Sequence, residues 1–133
     1  MVYKHIVMWK FKEQHNGKSA LENARWMKEQ LEALVGVVPE LLSAEVGISP
    51  ALEQAAEAPA PVAAQSNAVA APSNAAAVPA QAASGEYDAC LLSTFASPEA
   101  LAAYKVHPKH KAISAYCKEA RLKRLAFDWW SEE

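Results

Sequence analysis

The first hydrophobic segment of the chain, Tyr3–Phe11, has the two-residue period of a β-strand. One face of this predicted strand carries His5, Val7, Trp9 and Phe11. Ser19 and Glu22 then form the signature of a capping box, and apolar residues follow at helical spacing as far as Leu34, with Gly36 as the predicted stop. A second alternating run, Leu41–Ile48, predicts another strand. The start of the chain therefore predicts a strand–helix–strand unit.

The end of the chain repeats this order of elements. Residues Tyr87–Phe95 alternate as a third strand, and Ser97 followed by Pro98 provides the N-cap and first-turn proline of a helix. A second helical stretch begins at Pro108, and Leu122–Trp129 predicts the last strand. The order β-α-β-β-α-β is that of a ferredoxin-like α+β fold, in which helices cover one face of a four-stranded antiparallel sheet.

Residues 50–84, between the two units, differ from the rest of the chain in composition. Alanine dominates, five of the eight prolines fall here, and Glu53 and Glu57 are the only charged residues. Because proline interrupts helices and alanine buries little area, we interpret the segment as a flexible low-complexity insertion in a single domain of residues 1–133. The alternative is a short helix over Leu52–Ala58, since alanine and glutamate favour helices.

Charge and hydropathy exclude several classes of function. A formal net charge of -2 without a basic stripe argues against a nucleic-acid partner. The chain begins directly in the first strand without a signal-peptide pattern, and it has no run of 18 apolar residues. We therefore expect a cytoplasmic protein with no membrane partner. Cys90 and Cys117 lack metal or redox spacing and are interpreted as reduced core thiols.

The predicted sheet is apolar on both faces, and this has a consequence for assembly. If helices cover one face, the other face carries Ile6, Met8, Cys90 and Leu92. An uncovered apolar face of that size is uncommon in a soluble monomer. The pattern therefore predicts a homodimer in which the sheets of two copies pack against each other.

The candidate chemistry lies in Tyr104 and in three of the four histidines. His107 and His110 lie on either side of a helix break just after Tyr104, while His5 lies on the first strand. An imidazole can accept a proton at neutral pH, and a phenol can stabilise an enolate oxygen. These residues could equally form a structural hydrogen-bonded network.

The remaining polar candidates have simpler interpretations. His107 suits a helix start, where its ring can satisfy a backbone group. His15, beside an Asn-Gly pair, is interpreted as a solvated loop residue, and Arg121, Lys123 and Arg124 as a solvated face. No metal site is predicted, because the Cys or carboxylate partners of a zinc site are missing from the histidine set.

Several short motifs together resemble the stress-responsive A/B barrel domain (Dabb) family. They are the segment from Met1 to Lys12, Val46-Gly47, Tyr87-Asp88, Phe95 with Ser97-Pro98-Glu99-Ala100-Leu101, Tyr104 with His107-Pro108-Lys109-His110, and Phe127-Asp128. The resemblance covers nearly all of the chain outside the insertion. It implies a dimeric ferredoxin-like α+β barrel, in agreement with the fold and the homodimer predicted above.

The family resemblance also implies a site. In a plant polyketide cyclase of the family, residues matching His5, Tyr104 and His110 line a pocket between the sheet and the helices. By this resemblance His110 is the general base, Tyr104 assists it through a hydrogen bond, and His5 orients or polarises the substrate. Three apolar neighbours on the same face of the sheet would contact the substrate, namely Val7, Trp9 and Leu91.

Two hypotheses about function follow. The first is a cofactor-independent enzyme of the cyclase or lyase kind, acting on a small hydrophobic or β-keto compound. The second is a noncatalytic ligand-binding or stress-associated homodimer. The chain also departs from the cyclase, because a further pocket histidine on the third strand is replaced by Ala89 and Trp9 is a bulky neighbour of His5. A smaller and less polar pocket is therefore expected.

Overall fold

Four long strands form one antiparallel sheet, and helices cover one of its faces. The computed structural model describes residues 1–57 and 86–132. The strands are β1 (Val2–Phe11), β2 (Gln14–His15), β3 (Lys18–Ser19), β4 (Ser43–Ile48), β5 (Ala89–Phe95) and β6 (Arg121–Ser131). The helices are α1 (Ala20–Glu32), α2 (Pro50–Glu57), α3 (Pro98–Val106) and α4 (Pro108–Ala120).

The sheet has the strand order β4-β5-β1-β6, with every neighbouring pair antiparallel. The predicted ferredoxin-like α+β architecture is therefore confirmed. Because β1 is a central strand, His5 lies opposite Ser93 on β5 and opposite Asp128 on β6. This register brings the two ends of the chain together on the helix-covered face.

Helix α1 begins at the predicted capping box. Ser19 Oγ accepts the backbone N–H of Glu22, and the Glu22 carboxylate accepts the backbone N–H of Ser19. The helix buries an apolar stripe against the sheet, consisting of Leu21, Ala24, Met27 and Leu31. The predicted stop lies at Gly36, where the chain has a φ of 89° that favours glycine, four residues after the last helical residue.

The end of α1 is also bonded to the outer edge of the sheet. Lys28 Nζ donates to the carbonyl of Val46 on β4 at 2.7 Å, and Glu32 Oε2 accepts the N–H of Val46 at 2.8 Å. Lys28 and Glu32 form an ion pair with each other at 2.8 Å. Both backbone groups of an edge-strand residue are thereby satisfied by one turn of helix.

A short hairpin, β2–β3, corrects the interpretation of His15 as a solvated loop residue. Asn16 and Gly17 have φ values of 59° and 75°, which is the backbone of a tight two-residue hairpin turn. The turn folds the hairpin onto the helices, where the His15 ring meets the Tyr116 ring at 5.3 Å. His15 is therefore half-buried on an aromatic surface.

The start of the proposed insertion is helical. Helix α2 covers residues 50–57, with Pro50 at its first position and Ala51 buried. The interpretation as flexible is wrong for these residues, and the alternative of a short helix is close to what is observed. Residues 58–84 of the proposed insertion lie outside the described residues. Within the described ranges, no helix is long and apolar enough to span a membrane.

The second face of the sheet is uncovered by any described element. We call it the open face and define it by its apolar side chains, Ile6, Met8, Cys90, Leu92, Leu125, Phe127 and Trp129. Leu92, Leu125 and Phe127 are exposed by 37%, 50% and 64%. The alternation of β1 and β5 predicted four of these residues, and β6 contributes the other three.

Candidate functional site

A cavity of about 270 Å³ lies between the helix-covered face of the sheet and helices α1 and α4. Strands β1 and β5 and helix α1 provide most of its apolar wall, and its polar groups come from β1, α3, α4 and β6. The lining residues are His5, Val7, Trp9, Met27, Leu31, Leu91, Lys105, His110, Ile113, Ser114, Cys117, Arg121 and Arg124. Both Arg121 and Arg124 come from β6, and Arg124 is exposed, so the cavity opens beside this strand.

The structure brings together most of the residues singled out from the sequence. His5, Val7, Trp9, Leu91 and His110 all line the cavity. They reach it because the odd-numbered residues of β1 and β5 share the helix-covered face. The sixth candidate, Tyr104, is fully buried beside His110 and is not part of the lining. What these residues do for a ligand remains a prediction.

His5 is held by a carboxylate. Its ring is 3% exposed, and its Nδ1 lies 2.5 Å from Oδ1 of Asp128. Because an ionised carboxylate only accepts hydrogen bonds, Nδ1 is the donor and Nε2 carries the free lone pair. Burial lowers the pKa of His5, and the hydrogen bond and charge of Asp128 oppose that effect. His5 is therefore a neutral imidazole in an aspartate–histidine pair.

His110 has the same tautomer for a different reason. Pro108 starts α4 and turns His110 back over the end of α3, where its Nδ1 lies 3.2 Å from the backbone carbonyl of Lys105. A carbonyl oxygen can only accept, so Nε2 again carries the lone pair. Burial lowers the pKa of His110, while the Lys105 carbonyl opposes the shift and the charges of His5, Arg124 and Lys105 add to it.

His107 and Tyr104 support His110 from behind. Nδ1 of His107 accepts the backbone N–H of Lys109 at 3.1 Å and caps α4, which confirms its predicted scaffold role. The Tyr104 ring lies against His110 with centroids 4.3 Å apart, and against Phe95 at 5.1 Å. The structure thus joins Tyr104 to His110 by a ring contact and not by the predicted hydrogen bond.

The hydroxyl of Tyr104 is the one buried side-chain polar atom without a hydrogen-bond partner in the described parts of the chain. Burial raises the pKa of Tyr104, so the phenol is neutral. Buried hydroxyls are usually satisfied, and an orphan hydroxyl in a protein interior calls for an explanation. A water or a ligand atom could supply the missing partner.

Sequence reasoning missed Asp128 and the cationic residues of the cavity. Asp128 stands 123 residues from His5, and only the pairing of β1 with β6 brings the two together. The interpretation of Arg121, Lys123 and Arg124 as a solvated face holds for the exposed Arg124, but it overlooked that Arg124 and the half-buried Arg121 also line the cavity. Lys123 is exposed, as the solvated-face interpretation predicts, and does not line the cavity. Its ammonium group lies 4.8 Å from the centre of the Tyr87 ring and near Glu86.

One further group that lines the cavity, a thiol, has limited chemistry. Cys117 lines the cavity, but burial raises the pKa of its thiol to about 11, so it is present as the unreactive thiol. Among residues 1–57 and 86–132, no group of three or more His, Cys, Asp or Glu side chains is arranged to hold a metal ion.

Comparison with known proteins identifies the family. The sequence matches the stress responsive A/B barrel domain, Dabb, over residues 3–65 and 73–131. The chain belongs to the Dabb family. The match leaves out residues 66–72, which fall within the proposed insertion. No curated protein matches this Dabb chain in sequence.

Solved structures share the fold of this Dabb chain at low sequence identity. A dimeric protein of unknown function with a ferredoxin-like fold from Bacteroides fragilis NCTC 9343 is 20% identical, with a TM-score of 0.64 and coverage of 98% of this chain and 96% of that chain. A dimeric ferredoxin-like protein of unknown function from Thermobifida fusca is 18% identical, with a TM-score of 0.62 and coverage of 98% and 92%. The hydroxynitrile lyase of Passiflora edulis is 16% identical, with a TM-score of 0.62 and coverage of 99% and 95%.

Proposed function

We propose that this Dabb domain catalyses cofactor-independent proton transfer on a small carbonyl compound, in a reaction of the cyclase or lyase kind. One observation supports the proposal above all others. Two histidines line the same cavity, and in each the Nδ1 atom is already bonded to a protein oxygen. Only Nε2 of each ring is free to exchange a proton with a ligand, and a lowered pKa keeps both rings in the basic form at neutral pH.

The two histidines suit different steps of such a reaction. His110 is the proposed general base, which removes a proton from the carbon next to the carbonyl group. His5 is proposed to orient the substrate by accepting the O–H proton of a substrate hydroxyl or enol group at Nε2, because the Asp128 carboxylate stabilises the imidazolium that forms. The proton can then be returned to the product from either ring. Tyr104 is proposed to donate a hydrogen bond from its unpaired hydroxyl to a ligand atom or a water beside His110.

The size and lining of the cavity favour a small substrate. A volume of about 270 Å³ falls below the usual range of roughly 300–1,000 Å³ for sites that take drug-sized ligands. Val7, Trp9 and Leu91 provide an apolar wall that suits a short hydrocarbon portion. The hydroxynitrile lyase with this fold is consistent with chemistry of this kind, although its identity of 16% supports the fold alone.

We also propose that two copies pair through the open face. Its exposed leucines and phenylalanine form an apolar surface that water contacts at a cost in free energy. Two of the solved structures with this fold are dimeric proteins, and the sheet-to-sheet pairing predicted from the sequence would cover this surface. The expected location in the cytoplasm stays a prediction.

Proton abstraction can be tested without knowing the natural substrate. Methyl levulinate, a small neutral keto ester, is incubated with the protein in D₂O, and loss of its α-proton NMR signals is followed. We expect the wild type to accelerate exchange above buffer, and His110→Ala to reduce that acceleration by roughly 10²–10⁴-fold, the usual contribution of a general base. Asp128→Asn should give a smaller reduction, because it leaves Nε2 of His5 in place.

The control and the contrary results separate the two hypotheses. Lys118→Gln changes an exposed charge on α4 away from the cavity and should exchange at the wild-type rate. If the wild type binds the ester without accelerating exchange, the enzyme proposal is wrong and the noncatalytic ligand-binding hypothesis is favoured. Full exchange activity in His110→Ala would instead remove His110 from the role of base.

A further inference from the structure

The cavity carries a concentration of positive charge that the proposed acid–base chemistry does not use. Lys105, Arg121 and Arg124 all line it, and the lining contains no aspartate or glutamate. None of the three cations forms an ion pair within the described parts of the chain. The nearest carboxylate along β6, Asp128, is bonded to His5.

This charge is unusual for the chain as a whole. The protein has a formal net charge of -2, yet the cavity contributes three cations and no anion. Like charges gathered around a partly enclosed space repel one another, and the repulsion is relieved when a bound anion supplies the opposite charge. An uncompensated cluster of this kind is therefore a feature of an anion-binding site.

The strand register places Arg121 and Arg124 towards one end of the cavity, while Lys105 comes from α3 beside His110. Arg124 lies opposite Trp9, and Asp128 lies opposite His5, so the two residues are four positions apart along β6. At the usual rise of a strand the two α-carbons are about 13 Å apart. The guanidinium group can lie closer to His5 than that, because the arginine side chain is long. Arg124 is central to the cluster, because its charge acts on both His5 and His110 and on Cys117.

We propose that the cavity binds a small organic carboxylate, with the carboxylate held by Arg124 together with Arg121 and Lys105. Guanidinium groups match carboxylates in geometry and form charge-assisted hydrogen bonds with them. A keto acid would then place its anionic end at the β6 side and its carbonyl group towards the two histidines. The carboxylate belongs to the substrate of the proton transfer proposed above, so the assignment rests on that proposed function for its biological meaning.

The test compares one acid with its own neutral ester. Levulinate and methyl levulinate are titrated into the wild type at low salt, and binding is followed by the ring NMR signals of His5 and His110. We expect levulinate to bind at least about tenfold more tightly than the ester, since one charge-assisted hydrogen bond is worth that factor. Arg124→Gln should remove most of the preference, and added salt should weaken levulinate binding but not ester binding.

Matched variants make the outcome decisive. Lys118→Gln removes an exposed positive charge from α4 at a residue that does not line the cavity. This variant should keep the full preference for the acid. Arg124 is exposed, so its substitution should leave the fold intact, as unchanged backbone NMR signals would show. Equal binding of acid and ester by the wild type, or no levulinate binding at all, would overturn the assignment. Exchange of the ester in that case would leave the proton-transfer proposal standing.

Discussion

The two faces of the sheet are built from the same alternating strands, yet they carry different chemistry. The helix-covered face holds every buried polar side chain of the central strand pair, including His5 and Ser93, within an otherwise apolar core. The open face places apolar side chains at its centre, and in the single chain they are exposed or half-buried. One face thus has a cavity with two histidines, and the other has an apolar centre.

This difference shows how one short fold can separate reaction from association. The residues proposed to react lie where helices exclude water, which strengthens their hydrogen bonds and shifts their pKa values. The residues proposed to associate lie where nothing in the described chain covers them. A substitution on one face should therefore leave the property of the other face nearly unchanged, and the following experiments test that separation.

The largest effect is expected on the open face. Phe127→Lys places a charge at the most exposed phenylalanine of that surface. It should weaken dimerisation by about 3–6 kcal/mol, because each protomer loses a buried phenylalanine worth about 1.5–3 kcal/mol. Analytical ultracentrifugation at micromolar concentration should show a wild-type dimer and a variant monomer.

Val106→Lys is the matched control, because Val106 is equally exposed at 65% but lies on α3. It should remain dimeric. A wild-type monomer, or a Phe127→Lys variant that stays dimeric, would contradict pairing through the open face. Ester exchange by the Phe127→Lys monomer would show whether the two faces are independent.

A smaller effect separates function from stability on the helix-covered face. Tyr104→Phe removes a buried hydroxyl that has no partner among the described residues, so the free energy of unfolding should stay equal or rise by up to about 1 kcal/mol. Ester exchange should nevertheless fall by about tenfold if that hydroxyl bonds to the ligand. Urea denaturation and the NMR exchange assay measure the two quantities on the same sample.

Tyr116→Phe is the contrasting variant, because the Tyr116 hydroxyl donates to Oδ1 of the buried Asn23 at 2.5 Å. It should lower the free energy of unfolding by about 1–3 kcal/mol and leave exchange unchanged. If Tyr104→Phe is the destabilised variant and keeps full exchange, its hydroxyl has a structural role instead.

The pH dependence of stability should report the two cavity histidines. Burial lowers the pKa of His5 and of His110 from 6.5, so below pH 6.5 the unfolded chain binds protons that the folded chain does not. The free energy of unfolding should therefore be highest above pH 6.5. It should fall as the pH decreases from 6.5 towards the pKa values of the folded protein. The wild type should therefore be less stable at pH 5 than at pH 8.

Urea denaturation between pH 8 and 5 measures this dependence. Over that range Glu32 stays ionised, because its hydrogen bond from Lys28 lowers the pKa of the carboxyl further below 4.5. His110→Gln should flatten part of the slope. A stability that is constant from pH 8 to pH 5 would contradict the assignment of neutral histidines.

The fold was predictable from the sequence because its signals are local. The two-residue period of β1, the capping box at Ser19 and the prolines at the starts of α3 and α4 each act within a few residues. The β2–β3 hairpin had a local signal too, the Asn16-Gly17 pair, although its strands are only two residues long. The sequence signal for helix α2 was ambiguous, because alanine favours a helix while proline usually ends one. In the structure Pro50 occupies the first helical position, where proline is tolerated.

The site was only partly predictable because its decisive contacts are not local. His5 and His110 stood out as residue types, and the family resemblance paired them with Tyr104. Asp128 carries no signal of its own, and its role depends on the register between the first and last strands. Arg124 is one charge in a basic run, and the pairing of β6 with β1 sets it opposite Trp9 on the cavity side, while Lys123 lies opposite Lys10 on the other face.

The bonds from Lys28 and Glu32 to Val46 also bear on how this protein avoids aggregation. A free sheet edge offers its backbone groups to any passing strand, and chains that add to both edges can grow into fibrils. Here α1 occupies both backbone groups at the middle of the β4 edge. Growth by strand addition is therefore obstructed at the β4 edge. The open face can then pair with a second copy while this edge offers no template for a continuous sheet.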